Sequence, residues 1–151
     1  MEKYANAHIK YRINCIIDSP TALLQCHTWA MLVDSITFNT TKLTENVYGC
    51  HKGDVFVDKY VQKHLFPVSP FARIDEKSVG ALIHISIKKS KELTKKCKFG
   101  CIGEHVVDAK SVEYFEKIGI DFLYCTKNQS SIALLASAQG SFIQFLFYIF
   151  I

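Results

Sequence analysis

The sequence lacks long apolar runs, and its cysteines are too few to define a disulfide-rich class of protein. No stretch reaches the roughly 20 apolar residues that a membrane-spanning helix needs, so no membrane segment is expected. Six cysteines in 151 residues are too sparse for a disulfide scaffold. The stretch from Met1 to Asn6 lacks the apolar run of a secretory signal. These absences favour a cytoplasmic protein with free thiols.

The chain also has little net charge and no internal repeat or linker. A formal charge of +4 with 21% charged residues does not call for a nucleic acid or an acidic membrane as partner. The lysines between Lys88 and Lys98 lack the interleaved aromatic residues of a nucleic-acid site, and are interpreted as a solvated helix end. A chain of this length has room for one domain that buries roughly 68–70% of its unfolded surface.

Short apolar runs alternate with helical patterns. The predicted strands are Tyr11 to Asp18, Ser35 to Thr40, Lys98 to Gly103 and Asp121 to Cys125. The predicted helices follow Pro20, extend from Asp75 to Thr94, extend from a cap at Asp108 to a stop at Gly119, and begin near Ser130. This alternation predicts an α/β fold with parallel strands and crossover helices. Four strands form either a small open sheet or half of an eight-stranded barrel, and the pattern alone does not separate the two.

The end of the chain has a different composition from the rest. Apart from Ser141 and Gln144, every residue from Ser141 to Ile151 is apolar or aromatic. Without charge or proline, this stretch resembles an aggregation-prone strand, although a helix that covers the core is an alternative. We divide the chain into a lead-in (1–11), a domain (12–139) and an apolar tail (140–151) that we interpret as unrelated to the domain.

Several motifs within residues 12–139 occur in an order and at a spacing that match one known family. They are Ile17-Asp18-Ser19-Pro20, Phe38-Asn39-Thr40-Thr41-Lys42-Leu43-Thr44, Ser69-Pro70-Phe71, Gly100-Cys101-Ile102-Gly103-Glu104-His105 and Gly119-Ile120-Asp121-Phe122. As a set they resemble the carboxy-terminal domain of the phosphoenolpyruvate-utilising pyruvate, phosphate dikinases. The resemblance implies the last four strand–helix units of a (β/α)8, or TIM, barrel that binds phosphoenolpyruvate or pyruvate with magnesium. The family transfers phosphate between phosphoenolpyruvate and ATP or AMP with pyrophosphate.

The resemblance places the two metal-ligand positions of the family at Asp18 and Lys42, where the family has Glu and Asp. Asp18 keeps a carboxylate on a shorter side chain, and a helix N-cap is the alternative role for it. Lys42 carries a positive charge, so it cannot coordinate magnesium and repels it. Magnesium is the cofactor that the resemblance implies, but we expect none to bind here.

The proton-donating cysteine of the family falls at Ile102, which has no proton to donate. Cys101 is adjacent, but consecutive strand residues face opposite sides of a sheet, so replacing the donor would require a register slip. Glu104 and His105 are retained, either as supporting residues or as a surface pair. Thr40 and Thr41 are the candidate substrate contacts.

A zinc site is a weaker alternative. It would use Cys97, Cys101 and His105, whose spacing is not that of a standard zinc motif.

The sequence therefore predicts a fragment that resembles the phosphoenolpyruvate- and pyruvate-binding domain but is a catalytically inactive pseudoenzyme. An alternative is a non-catalytic interaction module that binds a full-length dikinase. Residual activity with a partner chain that supplies the missing domains is a further option. Half a barrel would leave two strand edges and an inner face uncovered, so self-association is also predicted.

Overall fold

The sheet has five parallel strands in the order in which they occur along the chain. The computed structural model describes residues 10–140 and 146–150. The strands are β1 (Asn14–Ile17), β2 (Ser35–Asn39), β3 (Lys98–Ile102), β4 (Phe122–Thr126) and β5 (Leu146–Phe150), with spatial order β1-β2-β3-β4-β5. The predicted α/β class and its four parallel strands are confirmed. The fifth strand comes from the apolar tail. The rest of that tail after residue 140 and most of the lead-in lie outside the described residues.

Helices connect the strands. They are α1 (Pro20–Leu24), α2 (Cys26–Trp29), α3 (Thr40–Tyr48), α4 (Val55–Gln62), α5 (Val79–Leu93), α6 (Ala109–Lys117) and α7 (Ser130–Gly140), with 3-10 turns at Glu104–Val107 and Lys127–Gln129. The sequence did not predict α3 and α4. Threonines lower the helix propensity of the first, and the β-branched residues of the second favour a strand. Within the described residues, no helix combines the length and apolar character needed to span a bilayer.

Helix ends show where local side chains cap the backbone. The hydroxyl of Ser19 accepts the N–H of Ala22 at 3.3 Å, so Ser19 caps α1 and the N-cap interpretation of Asp18 is wrong. Ser19 takes this role because it directly precedes Pro20, the first helical residue. Asp108 caps α6 as predicted, since its carboxylate accepts the N–H of Ser111 at 2.9 Å.

The helices other than α4 pack on one face of the sheet. Ile17, Phe38, Cys101 and Leu123 are partners in the strand register, so they share one face. All four are at most 1% exposed and belong to a single core cluster with buried residues of the helices. We call this side of the sheet the helix-facing side. The chain-order arrangement of strands is expected of part of a barrel, whereas a doubly wound sheet reverses its strand order.

The opposite face, which we call the second face, carries the alternate residues, of which Thr37, Gly100 and Phe122 are buried and Ile16 is exposed. Ile16, Thr37, Gly100 and Phe122 are partners across β1 to β4. Phe122 is buried yet belongs to neither hydrophobic cluster. A Cβ added to Gly100 would lie 2.0 Å from the Phe122 ring, so the absence of a side chain lets that ring lie across β3. Part of the second face is thus covered by its own aromatic ring.

The segment between α3 and α5 forms a small lobe with its own packing. Cys50, Val57 and Phe71 make a second buried cluster against Tyr48 at the end of α3. The ring of Tyr48 also meets Phe66 edge-on, with 5.5 Å between ring centroids. This packing holds the end of the lobe close to the sheet, where its backbone reaches the candidate site.

Candidate functional site

The candidate residues lie at the carboxyl ends of β1, β2 and β3. Asp18 follows β1, the segment Thr40–Lys42 begins α3 directly after β2, and Gly103–His105 follows β3. The carboxyl ends of parallel strands meet at one edge of a sheet, which is where barrel enzymes place their active sites. The structure therefore assembles the predicted residues at one end of the molecule, which we call the strand-end site.

Thr40 and His105 are joined inside this site. The Thr40 hydroxyl lies 2.8 Å from Nδ1 of His105 and 3.1 Å from the carbonyl oxygen of Ile102, while Nε2 of His105 lies 2.8 Å from the carbonyl oxygen of Pro70. A carbonyl only accepts, so Nε2 carries a proton. The single proton of the Thr40 hydroxyl is shared between two acceptors, the Ile102 carbonyl and Nδ1 of the neutral ring. Burial lowers the pKa of His105 and favours this neutral form. His105 is fully buried, so the surface alternative is wrong for it.

Gly103 brings the end of β3 against the start of α3. Its φ of 133° lies in a region that favours glycine, and an added Cβ would lie 2.6 Å from the Thr40 hydroxyl and 2.7 Å from the Thr41 hydroxyl. The next backbone N–H, that of Glu104, donates to the Thr41 hydroxyl at 3.1 Å. Both predicted substrate-contact threonines are therefore engaged in joining strand to helix.

Lys42 is neutralised within α3. Its Nζ donates to the Glu45 carboxylate at 2.7 Å, and its backbone N–H donates to the Asn39 side chain, which caps the helix, at 3.2 Å. The hydrogen bond from Lys42, followed by one from the Lys52 N–H, lowers the pKa of Glu45. An ammonium–carboxylate pair thus lies at the position where the family resemblance implies a metal-ligand carboxylate.

A second ion pair joins the loop after α3 to the end of β3. Lys52 Nζ lies 2.9 Å from the Glu104 carboxylate, whose side chain is 43% exposed. The backbone N–H of Lys52 also donates to Glu45 at 3.3 Å. Asp18 is exposed, and its carbonyl oxygen, rather than its carboxylate, accepts a hydrogen bond from the side chain of Asn46 at 2.8 Å. The Glu45 and Glu104 carboxylates therefore already have protein donors.

No group of three His, Cys, Asp or Glu side chains within residues 10–140 is arranged to hold a metal ion. Cys97, Cys101 and His105 therefore do not form the zinc group considered from the sequence. Asp18 supplies one carboxylate, but the second predicted ligand position is Lys42, whose ammonium cannot coordinate magnesium and repels it. The residues present at the strand-end site do not fit a magnesium ion.

Cys101 and Ile102 face opposite sides of the sheet. Cys101 is fully buried in the core on the helix-facing side, and this burial raises the pKa of its thiol. Ile102 pairs in register with Asn39 and Tyr124 and is partly exposed. The Cys101 sulfur is therefore sealed in the core, away from the strand-end site.

Some residues of the site had no signal in the sequence. Pro70 accepts the hydrogen bond from His105 through its backbone carbonyl, so the identity of the Pro70 side chain could not indicate this contact. Ser69-Pro70-Phe71 is nevertheless one of the family-like motifs. Lys52 belongs to a segment whose spacing predicted no contact with β3. Its ion pair with Glu104 depends on how the loop after α3 folds back.

Comparison with known proteins identifies relatives but no matching family model. The chain is 34% identical over 141 residues to a pyruvate, phosphate dikinase from Rickettsia bellii, which covers 92% of this chain and 16% of the relative. It is 32% identical over 143 residues to the enzyme of that name from Clostridium symbiosum, and 33% identical over 139 residues to that from Rhizobium meliloti. The chain spans only 16% of the length of each of these relatives.

Proposed function

This chain is a relative of the pyruvate, phosphate dikinases over 92% of its length, and on that premise we propose that it is a catalytically inactive counterpart of their phosphoenolpyruvate- and pyruvate-binding domain. The observation that carries the proposal is the Lys42–Glu45 ion pair at 2.7 Å. It puts a cation where the chemistry implied by the resemblance needs an anionic metal ligand.

Electrostatics argue against metal binding at this place. A divalent ion about 4 Å from an ammonium, at an effective dielectric constant near 20, is repelled by about 8 kcal/mol before ionic screening. The neighbouring Glu45 offsets part of that repulsion, but its carboxylate is already bonded to Lys42 and to the Lys52 N–H. We therefore propose that the chain binds no magnesium.

Proton donation is also missing. General acid catalysis requires a group within hydrogen-bond reach of the reacting atom and with a pKa near the operating pH. Ile102 has no titratable group, and Cys101 is buried on the other face with its pKa raised. These two features support the absence of a thiol-dependent proton transfer at the strand-end site.

Manganese titration followed by electron paramagnetic resonance tests the metal part of this proposal, since Mn²⁺ is a paramagnetic substitute for Mg²⁺. We expect no saturable binding by the native chain and a gain of binding in Lys42→Asp, which restores the second carboxylate. Lys89→Asp is the matched control, because it makes the same charge change at an exposed position of α5. Saturable micromolar binding by the native chain would contradict the proposal.

An assay for pyruvate formation from phosphoenolpyruvate, AMP and pyrophosphate tests the catalytic part. We expect no turnover with or without magnesium, and a magnesium-dependent turnover would overturn the proposal.

A second candidate function is a non-catalytic interaction module, favoured by the edge of the sheet at β1. Within the described residues β1 has a neighbouring strand on one side only, and its Ile16 side chain is 54% exposed. An unpaired strand edge beside apolar side chains favours association with another sheet. We propose binding to a full-length dikinase, or self-association when none is present.

Co-purification with a full-length dikinase and sedimentation at micromolar concentration test this second function. We expect a complex with the enzyme and a dimer or larger species alone. A clean monomer that ignores the enzyme would remove the interaction module.

A further inference from the structure

A cavity of about 790 Å³ lies at the amino ends of the strands, at the opposite end of the sheet from the strand-end site. Its wall includes residues from the second face and from the segments that lead into β1, β2, β3 and β4. Binding sites for small molecules typically have volumes of roughly 300–1,000 Å³. The cavity shares no residue with the strand-end site, so its chemistry can be considered separately.

This wall contains more hydrogen-bond donors than protein acceptors to pair with them. Oδ1 of Asn14 accepts the hydroxyls of both Ser35 and Thr37 at 3.0 Å, so the amide NH2 of Asn14 is the part that remains available. In the part of the chain that the structure describes, no carboxylate lies within ion-pair distance of Arg12 or Lys96. Both of these cations line the cavity.

The acceptors in the same wall are already engaged. Asp121 accepts the ammonium of Lys98 through one oxygen and the N–H of Phe99 through the other, each at 2.9 Å. Asp34 accepts the N–H of Ile13 at 2.7 Å. The wall therefore has three cations against two carboxylates, an excess of one positive charge that a bound anion would balance.

Aromatic rings form the apolar part of the wall. Phe122 lies over Gly100 and meets Tyr124 edge-on, with 5.3 Å between ring centroids. Flat apolar groups pack well against such an aromatic pair. A guanidinium binds a carboxylate, sulfonate or phosphate through paired N–H groups, which an ammonium can supplement.

We propose that this cavity binds a small organic anion in which a carboxylate, sulfonate or phosphate is attached to a planar apolar body. Arg12, Lys96 and the amide of Asn14 hold the anionic group, and the body lies against Phe122 and Tyr124. The proposal is independent of the proposed function, because no residue of the strand-end site takes part.

Saturation-transfer NMR with 2-naphthoate as the probe tests this assignment, with 2-naphthalenemethanol as its neutral analogue. We expect the anion to bind about tenfold more tightly than the alcohol. Arg12→Gln with Lys96→Gln should weaken binding of the anion about tenfold, whereas Lys89→Gln with Lys110→Gln, which removes two charges elsewhere, should leave it unchanged.

A third variant keeps the test informative if the double substitution disturbs folding. Asn14→Asp retains the oxygen that Ser35 and Thr37 contact but replaces the NH2 with a negative oxygen, so the anion should bind several-fold more weakly. Far-UV circular dichroism verifies that each variant is folded. Equal affinity for the anion and the alcohol, or equal affinity of the native chain and the folded variants, would overturn the proposal.

Discussion

The helix-facing side of the sheet and the strand-end site are held together by different interactions. On the helix-facing side, apolar side chains such as Phe38 and Phe99 are fully buried, with stacked rings 6.2 Å apart. At the strand-end site, hydrogen bonds and ion pairs such as Lys42–Glu45 and Lys52–Glu104 join side chains that are partly exposed. Apolar burial stabilises a fold far more than exposed ion pairs do. A chain can therefore change the chemistry of its strand ends while the fold persists.

The largest effect is expected on the helix-facing side. Phe99→Ala should lower the free energy of unfolding by about 3–5 kcal/mol, because it removes a fully buried ring and leaves a cavity. Leu93→Ala, at a position that is 56% exposed, should cost less than about 1 kcal/mol. Urea unfolding followed by circular dichroism measures both. If Phe99→Ala lowers the free energy of unfolding by less than about 1 kcal/mol, the helix-facing side does not stabilise the fold more than the strand-end site does.

The next effect is steric and lies at the strand-end site. Gly103→Ala should cost about 3 kcal/mol, since φ is 133° and the new methyl would meet both threonine hydroxyls. Gly53→Ala is the matched control: its φ is 93°, yet no atom lies within 4 Å of the added Cβ, so only the backbone term of about 1 kcal/mol remains. The same unfolding experiment compares them. Equal losses would mean that the contact with Thr40 and Thr41 does not constrain the site.

A pH-dependent effect should follow from His105. Its pKa in the folded protein is lowered below the ordinary 6.5, so the unfolded chain binds the proton more tightly. The stabilisation is therefore fully present above pH 6.5 and is lost as the pH falls through the folded pKa, by up to about 1.4 kcal/mol per pH unit. The free energy of unfolding, measured at pH 7.5 and at pH 5.5, should differ less between the two pH values for His105→Gln than for the native chain. His84→Gln, at an exposed position, is the control, and it should leave the difference unchanged.

The smallest effect on stability is expected for the Lys42–Glu45 ion pair. Lys42→Met should change the free energy of unfolding by less than about 1 kcal/mol, because the Lys42 side chain is 55% exposed. Lys89→Met is the control, because it removes an exposed lysine that has no ion-pair partner among the described residues. A loss above 2 kcal/mol for Lys42→Met alone would show that the strand-end site contributes to stability as strongly as the core does.

The sequence predicted best what depends on local patterns. The apolar runs indicated four strands within a few residues, and the two-residue period placed Cys101 and Ile102 on opposite faces. From the sequence, an N-cap was one of two alternative roles for Asp18, whereas Ser19 caps the helix. Either side chain can cap a helix, and only the backbone geometry decides between them.

Long-range contacts were beyond local patterns. The bond from His105 to the Pro70 carbonyl and the ion pair from Lys52 to Glu104 depend on how the lobe and the loop after α3 fold back. The strand of Leu146–Phe150 had an apolar composition that fits a helix, a strand or an exposed tail equally well. Its register against β4 is tertiary information that composition does not contain.

The chain-order arrangement of the strands has a consequence for the route by which the protein folds. Each strand after the first pairs with the strand made just before it, so the sheet can grow outward from β1 while the chain is being synthesised. Most of these steps close a short loop, but Ser35 pairs with the distant Lys98, beyond α3, α4 and α5. Closing a longer loop costs more entropy and slows folding. We therefore expect the docking of β3 onto β2 to limit the folding rate.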